Sequence, residues 1–498
     1  MDVLVFHGYL LRGTGSNVYN AELATALARL GHRVHLLTQE RHPLELPWVD
    51  AVGSWCGGEL RVRNRRDPAR ITVYRPPIGE VLPVYVADRY EGFDARPFAA
   101  LSEAELASYL ERNVAAVREV ARLVAPGAAL ANHLIMGPAI LARAGVDRYA
   151  VKVHGSALEY AVKPEPGRFL PYAREGLRAA SGVLVGSRHT AESLWAAMDD
   201  PSVVARTRLG PPGVDVHAFV PRAPDAAAAG LAALSSRLRA QAPAASGGDS
   251  FARDAAAAGA ALAGLDPRRH RLVAFVGKLI AAKGVDLLLA AWPRVLGVAP
   301  DARLLVVGFG ADRGALEELA ATLAAGEGVD AEGLPFLRAF LARVGGDPAY
   351  RAAAARIPDT VRFTGRLEHE ELADLLPACE ALVVPSTFAE AFGMVAAEAA
   401  ACGALPISAG HSGLAEVSRV LAQGLTEPVR RWLSFPLGDH AVDGIATRLS
   451  AWLTAPAPLR REAREALVAA AREHYSWEGV AEGVLAAAQG HLYALPAP

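Results

Sequence analysis

The sequence predicts an α/β protein of two domains of comparable size, each built on a parallel β-sheet. Three observations lead there. Residues 3–37 run strand, helix, strand, the βαβ unit from which parallel sheets are made. The same grammar starts afresh near residue 272, after a stretch of different composition. A chain of 498 residues is also too long for one ordinary hydrophobic core.

The first strand is Val3-Leu4-Val5-Phe6, followed by the loop Gly13-Thr14-Gly15-Ser16. Leu23, Leu27 and Leu30 then recur at helical spacing, Gly31-His32 ends the helix, and Val34-His35-Leu36-Leu37 is the next strand. Further strands are expected at 149–153 and 182–185. Residues 221–269 are rich in Ala, Gly and Ser. The centre of that stretch, 242–248, reads as flexible linker, and its flanks suit short Ala-rich helices. The second series offers strands at 272–276, 303–307, 361–364 and 381–384, with an insertion at 326–357. Val480, Val484 and Leu485 are spaced for an amphipathic helix within 477–495. The expected divisions are therefore 1–220, a linker or insertion at 221–269, 270–470, and a tail at 471–498.

Composition narrows the function. Hydrophobic residues reach 52%, but Ala supplies much of this, and no apolar run approaches the roughly 20 residues of a membrane helix. The first residues lack a basic segment and read as a strand, not a signal peptide. Cys56, Cys379 and Cys402 are too scattered for a disulfide framework or a metal cage, so a cytoplasmic protein without a metal is expected. A net charge of −2 gives no reason to expect nucleic acid as a partner.

The most informative segment runs from Pro385-Ser386-Thr387-Phe388-Ala389-Glu390 through Phe392-Gly393-Met394 to Glu398. A buried strand ends at Val384, a polar turn carries Glu390, and an Ala-rich helix is expected to begin near Phe392, with Glu398 about two turns on. Free N–H groups and the positive end of a helix dipole then stand at the carboxyl edge of a parallel sheet, where α/β proteins bind anions. Two carboxylates so placed accept hydroxyl protons from an extended polyol; an acidic surface helix would present the same residues. Gly277-Lys278 and Lys283-Gly284 follow the strand ending at Val276, and two ammonium groups there suit a diphosphate or plain solvent.

Together these segments resemble the family-4 retaining glycosyltransferases of GT-B fold. That family carries a Gly-Arg, a Lys-Gly a few residues later, and two Glu separated by seven residues; this chain has Gly277-Lys278, Lys283-Gly284, Glu390 and Glu398 in that order. Gly413-Leu414-Ala415-Glu416-Val417, Val153-His154-Gly155 and Gly213-Val214-Asp215 resemble other motifs of the family, as does the stretch from Gly15 to His32. The likeness spans most of the chain except the two insertions. It implies two Rossmann-like domains facing across a cleft, an N-terminal acceptor half, a C-terminal donor half, and a C-terminal helix crossing back to the first domain.

The resemblance also implies roles. Glu398 would hold the donor ribose. Glu390, with the amides of Phe392, Gly393 and Met394, would hold the transferred sugar, and His154 would touch it near the reacting centre. Lys278 and Lys283 would balance the departing diphosphate beside Gly277, and Gly15 would let the backbone approach it from the first domain. Arg366 and Leu367 would border the base. The expected co-substrate is a UDP-, GDP- or ADP-sugar, with no cofactor and no metal. Departures from the family pattern are Lys278 for Arg, Thr14 and Asn17 for Gly and Glu, and Pro212 for Asn; Asn17 leaves its acceptor or donor contact open. Arg61, Arg63, Arg65, Arg66, Arg70 and Arg75 cluster in the acceptor half. They suit a solvated basic loop, or an anionic acceptor or lipid surface met peripherally. A sugar-nucleotide epimerase, a phosphorylase and a silent nucleotide-binding module of the same fold are the alternatives.

Overall fold

A computed structural model describes residues 1–13, 15–86, 92–241, 253–329 and 334–498. Thr14, residues 242–252, which include the stretch 242–248 read as linker, and residues 330–333 of the second insertion lie outside the described residues. The chain forms two compact units, the first Met1–Gly213 with Ser476–Pro498, the second Val214–Tyr475.

The first unit holds β1 (Asp2–Phe6), β2 (Arg33–Leu37), β3 (Ala51–Cys56), β4 (Glu59–Asn64), β5 (Ile71–Arg75), β6 (Val81–Val84), β7 (Asp94–Pro97), β8 (Ala128–Asn132), β9 (Tyr149–Val153), β10 (Gly182–Val185) and β11 (Thr207–Leu209). Nine of these form one sheet in the order β11-β10-β9-β8-β1-β2-β5-β3-β4, while β6 and β7 pair separately. All pairs in the large sheet are parallel except the hairpin of β3 with β4 at its edge. Both faces are covered, as the residues of β1 show. Val3 and Val5 enter one core cluster, and Leu4 and Phe6 enter another on the opposite face.

The first of these clusters is completed from the far end of the sequence. Helix Gly15–Arg29 contributes Tyr19, Leu23 and Leu27, a stripe at steps of four, and helix Trp477–Ala488 adds Trp477, Ala481, Val484 and Ala488. The C-terminal helix thus belongs to the first unit. Leu30, expected on the same stripe, is exposed instead, because the helix closes at Arg29 before Gly31 turns the chain at φ +88°.

The second unit holds β12 (Arg271–Val276), β13 (Ala302–Val307), β14 (Val361–Gly365), β15 (Cys379–Val384), β16 (Leu405–Ala409) and β17 (Ser434–Phe435), ordered β14-β13-β12-β15-β16-β17 and parallel throughout. The flanks of the Ala/Gly/Ser-rich stretch are helices Pro224–Arg239 and Ala255–Leu262, which bury Leu231, Leu234, Leu238, Ala258 and Leu262 in this unit's core. The second insertion likewise supplies Leu337, Phe340 and Tyr350 to that core. Full burial of one such Leu or Phe stabilises by about 1.5–3 kcal/mol, so both segments are structural. Among the described residues no helix is long and apolar enough to cross a membrane.

Candidate active site

In the second unit, strand ends and two pressed loops assemble the site. Gly277 N donates to Val307 O at 3.0 Å, which pins the start of the Lys278 loop to the sheet edge. At the far end of that loop Gly284 has φ +64°, and a Cβ there would stand 2.1 Å from Pro385 O. Only glycine allows this approach. The loop after β15 is held alongside by Thr387 N, which donates to Ala282 O at 2.9 Å. The result brings the Lys283 ammonium onto Oε1 of Glu390. Ser386 Oγ donates to the same oxygen at 2.7 Å, and Glu390 N donates to Ser412 Oγ at 2.9 Å. Gly413 N donates to Glu390 O at 2.9 Å, so the Gly413 motif supports the turn from behind.

The helix expected near Phe392 runs Met394–Ala401, with Gly393 at its cap and no side-chain cap. Phe392, Gly393 and Met394 therefore lead into a helix whose first N–H groups have no capping side chain. Glu398 stands little more than one turn inside it and is buried. Its Oε1 meets His369 Nε2 at 2.8 Å, while Oε2 is buried with no hydrogen-bond partner. Arg366 follows β14, donates to Glu368 Oε2 at 3.0 Å and lies 5.9 Å from the Phe309 ring centre. Leu367 beside it is buried.

In the first unit the carboxyl ends of β1, β8 and β9 gather a polar cluster around His154. Asn132 Oδ1 lies 2.8 Å from His154 Nε2, and Asn132 Nδ2 donates to Asn20 Oδ1 at 2.7 Å. Asn20 Nδ2 faces His7 Nδ1 at 3.1 Å, and His7 Nε2 faces Asn17 Oδ1 at 2.9 Å. Asn17 and Gly15 both lie in the first turn of helix Gly15–Arg29. His133, at φ +66°, is buried with both ring nitrogens unpartnered, 4.9 Å from His154 by ring centres. Burial draws His7 down to about 4 and holds His133 and His154 well below the usual imidazole range, His133 and Lys152 adding to the effect on His154. Burial likewise lowers Lys152 to about 7; its ammonium is bonded to Gly210 O and lies 5.4 Å from the Tyr19 ring centre.

Five of the six arginines separate into two groups, while Arg75 ends β5 with its guanidinium 5.6 Å from the Phe93 ring centre. Arg61 and Arg63 lie exposed on edge strand β4. Arg65 donates to Leu44 O and Pro47 O, at 2.9 and 2.6 Å, and Arg66 pairs with buried Asp50 at 3.0 Å. Arg70 N and Ile71 N donate to the same Asp50 carboxylate at 3.0 and 3.1 Å. Asn64 pairs with Ala51 where β3 begins. Arg65, Arg66 and Arg70 thus stand at the amino end of the parallel strands, away from the His154 cluster. The structure brings Lys283, Glu390, Phe392, Gly393 and Met394 together in one unit, and His154 with Asn17 in the other.

Several residues of these clusters escaped the sequence reading: His7, Asn20, Asn132, His133 and Lys152 in the first unit, Ser386, Ser412 and His369 in the second. Asn132-His133 did carry a signal, a polar pair directly after an apolar run and before Gly137-Pro138.

A family model for glycosyl transferases group 1 matches residues 346–436, the part of the second unit that includes Glu390 and Glu398. The chain is 27% identical over 490 residues to a D-inositol 3-phosphate glycosyltransferase of Rhodococcus erythropolis, covering 95% of this chain and 85% of the relative. It is 33% identical over 244 residues to the enzyme of that name from Segniliparus rotundus, covering 48% of this chain and under half, 44%, of that relative's length. Among solved structures, Anabaena HepE in complex with UDP and glucose superposes with a TM-score of 0.57 at 16% identity, over 97% of this chain and 98% of the other. With its parallel sheets and its returning C-terminal helix the chain has the GT-B fold, and its residues 346–436 carry the group 1 glycosyl transferase match.

Proposed function

We propose that the protein moves a hexosyl unit from a nucleotide diphosphate donor to an acceptor hydroxyl with retention of anomeric configuration and without a metal ion. The observation that carries this reading is the bare, buried Oε2 of Glu398. A buried carboxylate oxygen without a partner costs roughly 1–3 kcal/mol or more, so it is a place where a ligand donor is owed. A ribose hydroxyl supplies one. UDP bound to HepE, a protein of the same fold, makes a UDP-sugar the first donor to try.

In the reaction the bond from the anomeric carbon to the diphosphate oxygen breaks as the acceptor oxygen bonds to the same face, and the acceptor proton leaves with the diphosphate. Negative charge grows on the leaving group while the sugar gains oxocarbenium character. Lys278, Lys283 and the N-terminus of helix Met394–Ala401 answer the first; Glu390 and His154 hold the sugar. Because these groups supply the positive charge, no divalent ion is required.

The acceptor is read as an anionic polyol bound by the first unit. The D-inositol 3-phosphate transferases support this class, and exposed Arg61 and Arg63 are the cations available on β4. Nucleotide release from UDP-, GDP- and ADP-sugars, assayed with inositol phosphate and with EDTA present, tests the whole reading. Inverted product, or activity only with added divalent ion, would exclude the mechanism; conversion of the sugar nucleotide without acceptor would make the protein an epimerase.

A further inference from the structure

His154 stands at the end of a chain of amides whose orientation the backbone fixes. Asn132 Nδ2 donates to Phe6 O at 3.2 Å, so the group Asn132 turns toward His154 is its carbonyl oxygen. A carboxamide oxygen only accepts, and the imidazole nitrogen 2.8 Å from it must therefore carry hydrogen. The same logic runs back along the chain. Asn20 Nδ2 is identified by Ser16 O at 2.8 Å, so His7 Nδ1 accepts from it. Asn17 Nδ2 is identified by Arg12 O at 2.5 Å, which leaves its Oδ1 to take the hydrogen of His7 Nε2. Three amides are oriented by three backbone carbonyls, and every hydrogen between them is assigned.

We propose that Asn132 is a positioning residue which holds His154 as the neutral Nε2–H tautomer, so that His154 meets ligand through Nδ1 as a hydrogen-bond acceptor. Nδ1 has no hydrogen-bond partner among the described residues, and the side chain is half-buried, not enclosed. Burial disfavours a second proton on the ring, and any charge on the neighbouring His133, Lys152 or His7 would disfavour it further. His133 lies 4.9 Å away and Tyr19 5.0 Å away by ring centres, with Lys152 and His7 behind them. A bare lone pair in such surroundings selects a hydroxyl group. A phosphate or carboxylate oxygen would bring a second lone pair and no hydrogen. The inference deepens the reading of His154 as a contact to the transferred sugar and rests on that reading. It adds that the contact is to an O–H, and that Asn132 decides it.

The test is nitrogen-15 NMR of the full chain labelled at histidine, with His154 assigned by His154→Ala. From about pH 5.5 to about pH 8, wild type should show pyridine-type Nδ1 and protonated Nε2. Asn132→Asp keeps the side-chain size but offers a carboxylate, which favours the imidazolium. His154 should then gain a second proton within that range, and the acid limb of kcat/KM should move up by about one pH unit or more. A protonated Nδ1 in wild type, or an unmoved pH profile in Asn132→Asp, would overturn the proposal. His154→Ala with kcat/KM within about threefold of wild type would remove the ligand role itself while leaving the tautomer standing, so the two failures are distinguishable.

Discussion

His369 Nε2 holds one oxygen of Glu398 at 2.8 Å, and the other oxygen of that carboxylate is buried and bare. The pair divides the work of one side chain. One oxygen is spent on orientation, which fixes the rotamer, and the other is left for a ligand. His369 is itself seated by the Phe219 ring, 5.0 Å from its own by centres.

Glu398→Gln should therefore raise donor KM tenfold or more while kcat changes much less, because ribose is bound equally before and during transfer. His369→Ala should have the same signature at about fivefold, the worth of roughly 1 kcal/mol for one hydrogen bond. Steady-state kinetics with varied donor separates KM from kcat. An effect of either substitution confined to kcat would show that the carboxylate acts on the reacting centre.

Lys283→Ala should lower kcat/KM about a hundredfold, or about 2.7 kcal/mol of transition-state stabilisation. The substitution also strips Glu390 of its cation, leaving Ser386 as the group on Oε1. Ser386→Ala should accordingly cost less than Lys283→Ala. A Lys283→Ala enzyme that loses donor affinity but keeps kcat would count against leaving-group stabilisation.

Gly284→Ala tests the pressed loops. With φ at +64° and a Cβ 2.1 Å from Pro385 O, the alanine must push the two loops apart. A loss of about 2 kcal/mol or more is expected, seen as a Tm lower by several degrees. Activity should fall further than stability explains, since Lys283 leaves Glu390. An unchanged Tm would mean the loops part at no cost.

Acid should weaken the fold through its buried imidazoles. His7 is held neutral down to about pH 4 in the folded chain, against an ordinary value of 6.5 when unfolded. Its stabilisation is complete above 6.5 and is lost as pH falls toward 4, because only the unfolded chain takes up the proton. His133 and His154 act in the same direction. For His7 the slope is about 1.4 kcal/mol per pH unit in that window, measurable as the midpoint of urea unfolding between about pH 7 and about pH 4.5. A flat midpoint over that range would show the imidazoles protonate in place.

Arg61→Gln with Arg63→Gln should raise acceptor KM and leave donor KM alone, and wild-type acceptor KM should rise with salt. Arg66→Gln should instead lower Tm, since it releases buried Asp50. Salt-independent acceptor kinetics would dissociate β4 from the acceptor.

What the sequence made legible follows from which signals are local. The first βαβ unit, β9, β10 and β12 to β15 were readable because each is a short run rich in Val, Leu or Phe bounded by Gly or polar turns, whereas β16, with Pro406 and Ser408 inside it, and the two-residue β17 carry no such run. Glu390, Glu398 and Lys283 were readable because family spacing is local too. The edge hairpin was missed although Gly57-Gly58 between two alternating runs is a turn signal. β8 was hidden because Ala128-Ala129-Leu130-Ala131 favours helix by composition and becomes strand only between β1 and β9. The His154 network had no local signature at all. Its links join residues such as Asn132 and Phe6, far apart in the chain and neighbours only across adjacent strands.

Val214 N donates to Tyr475 O at 2.6 Å, so the chain leaves the first unit and returns to it at one place. On the ribosome this topology has a price in time. The face of the sheet formed by Val3, Val5, Leu130 and Leu184 is made early, yet Trp477, Val484 and Ala488, which cover it, emerge only after the whole second unit. At ordinary synthesis rates that is a wait of tens of seconds with apolar surface open to water. The second unit, contiguous in sequence, can close as soon as it is made. Nascent chains arrested before residue 477 should therefore engage a holding chaperone through their first 200 or so residues, and release it once the last helix arrives.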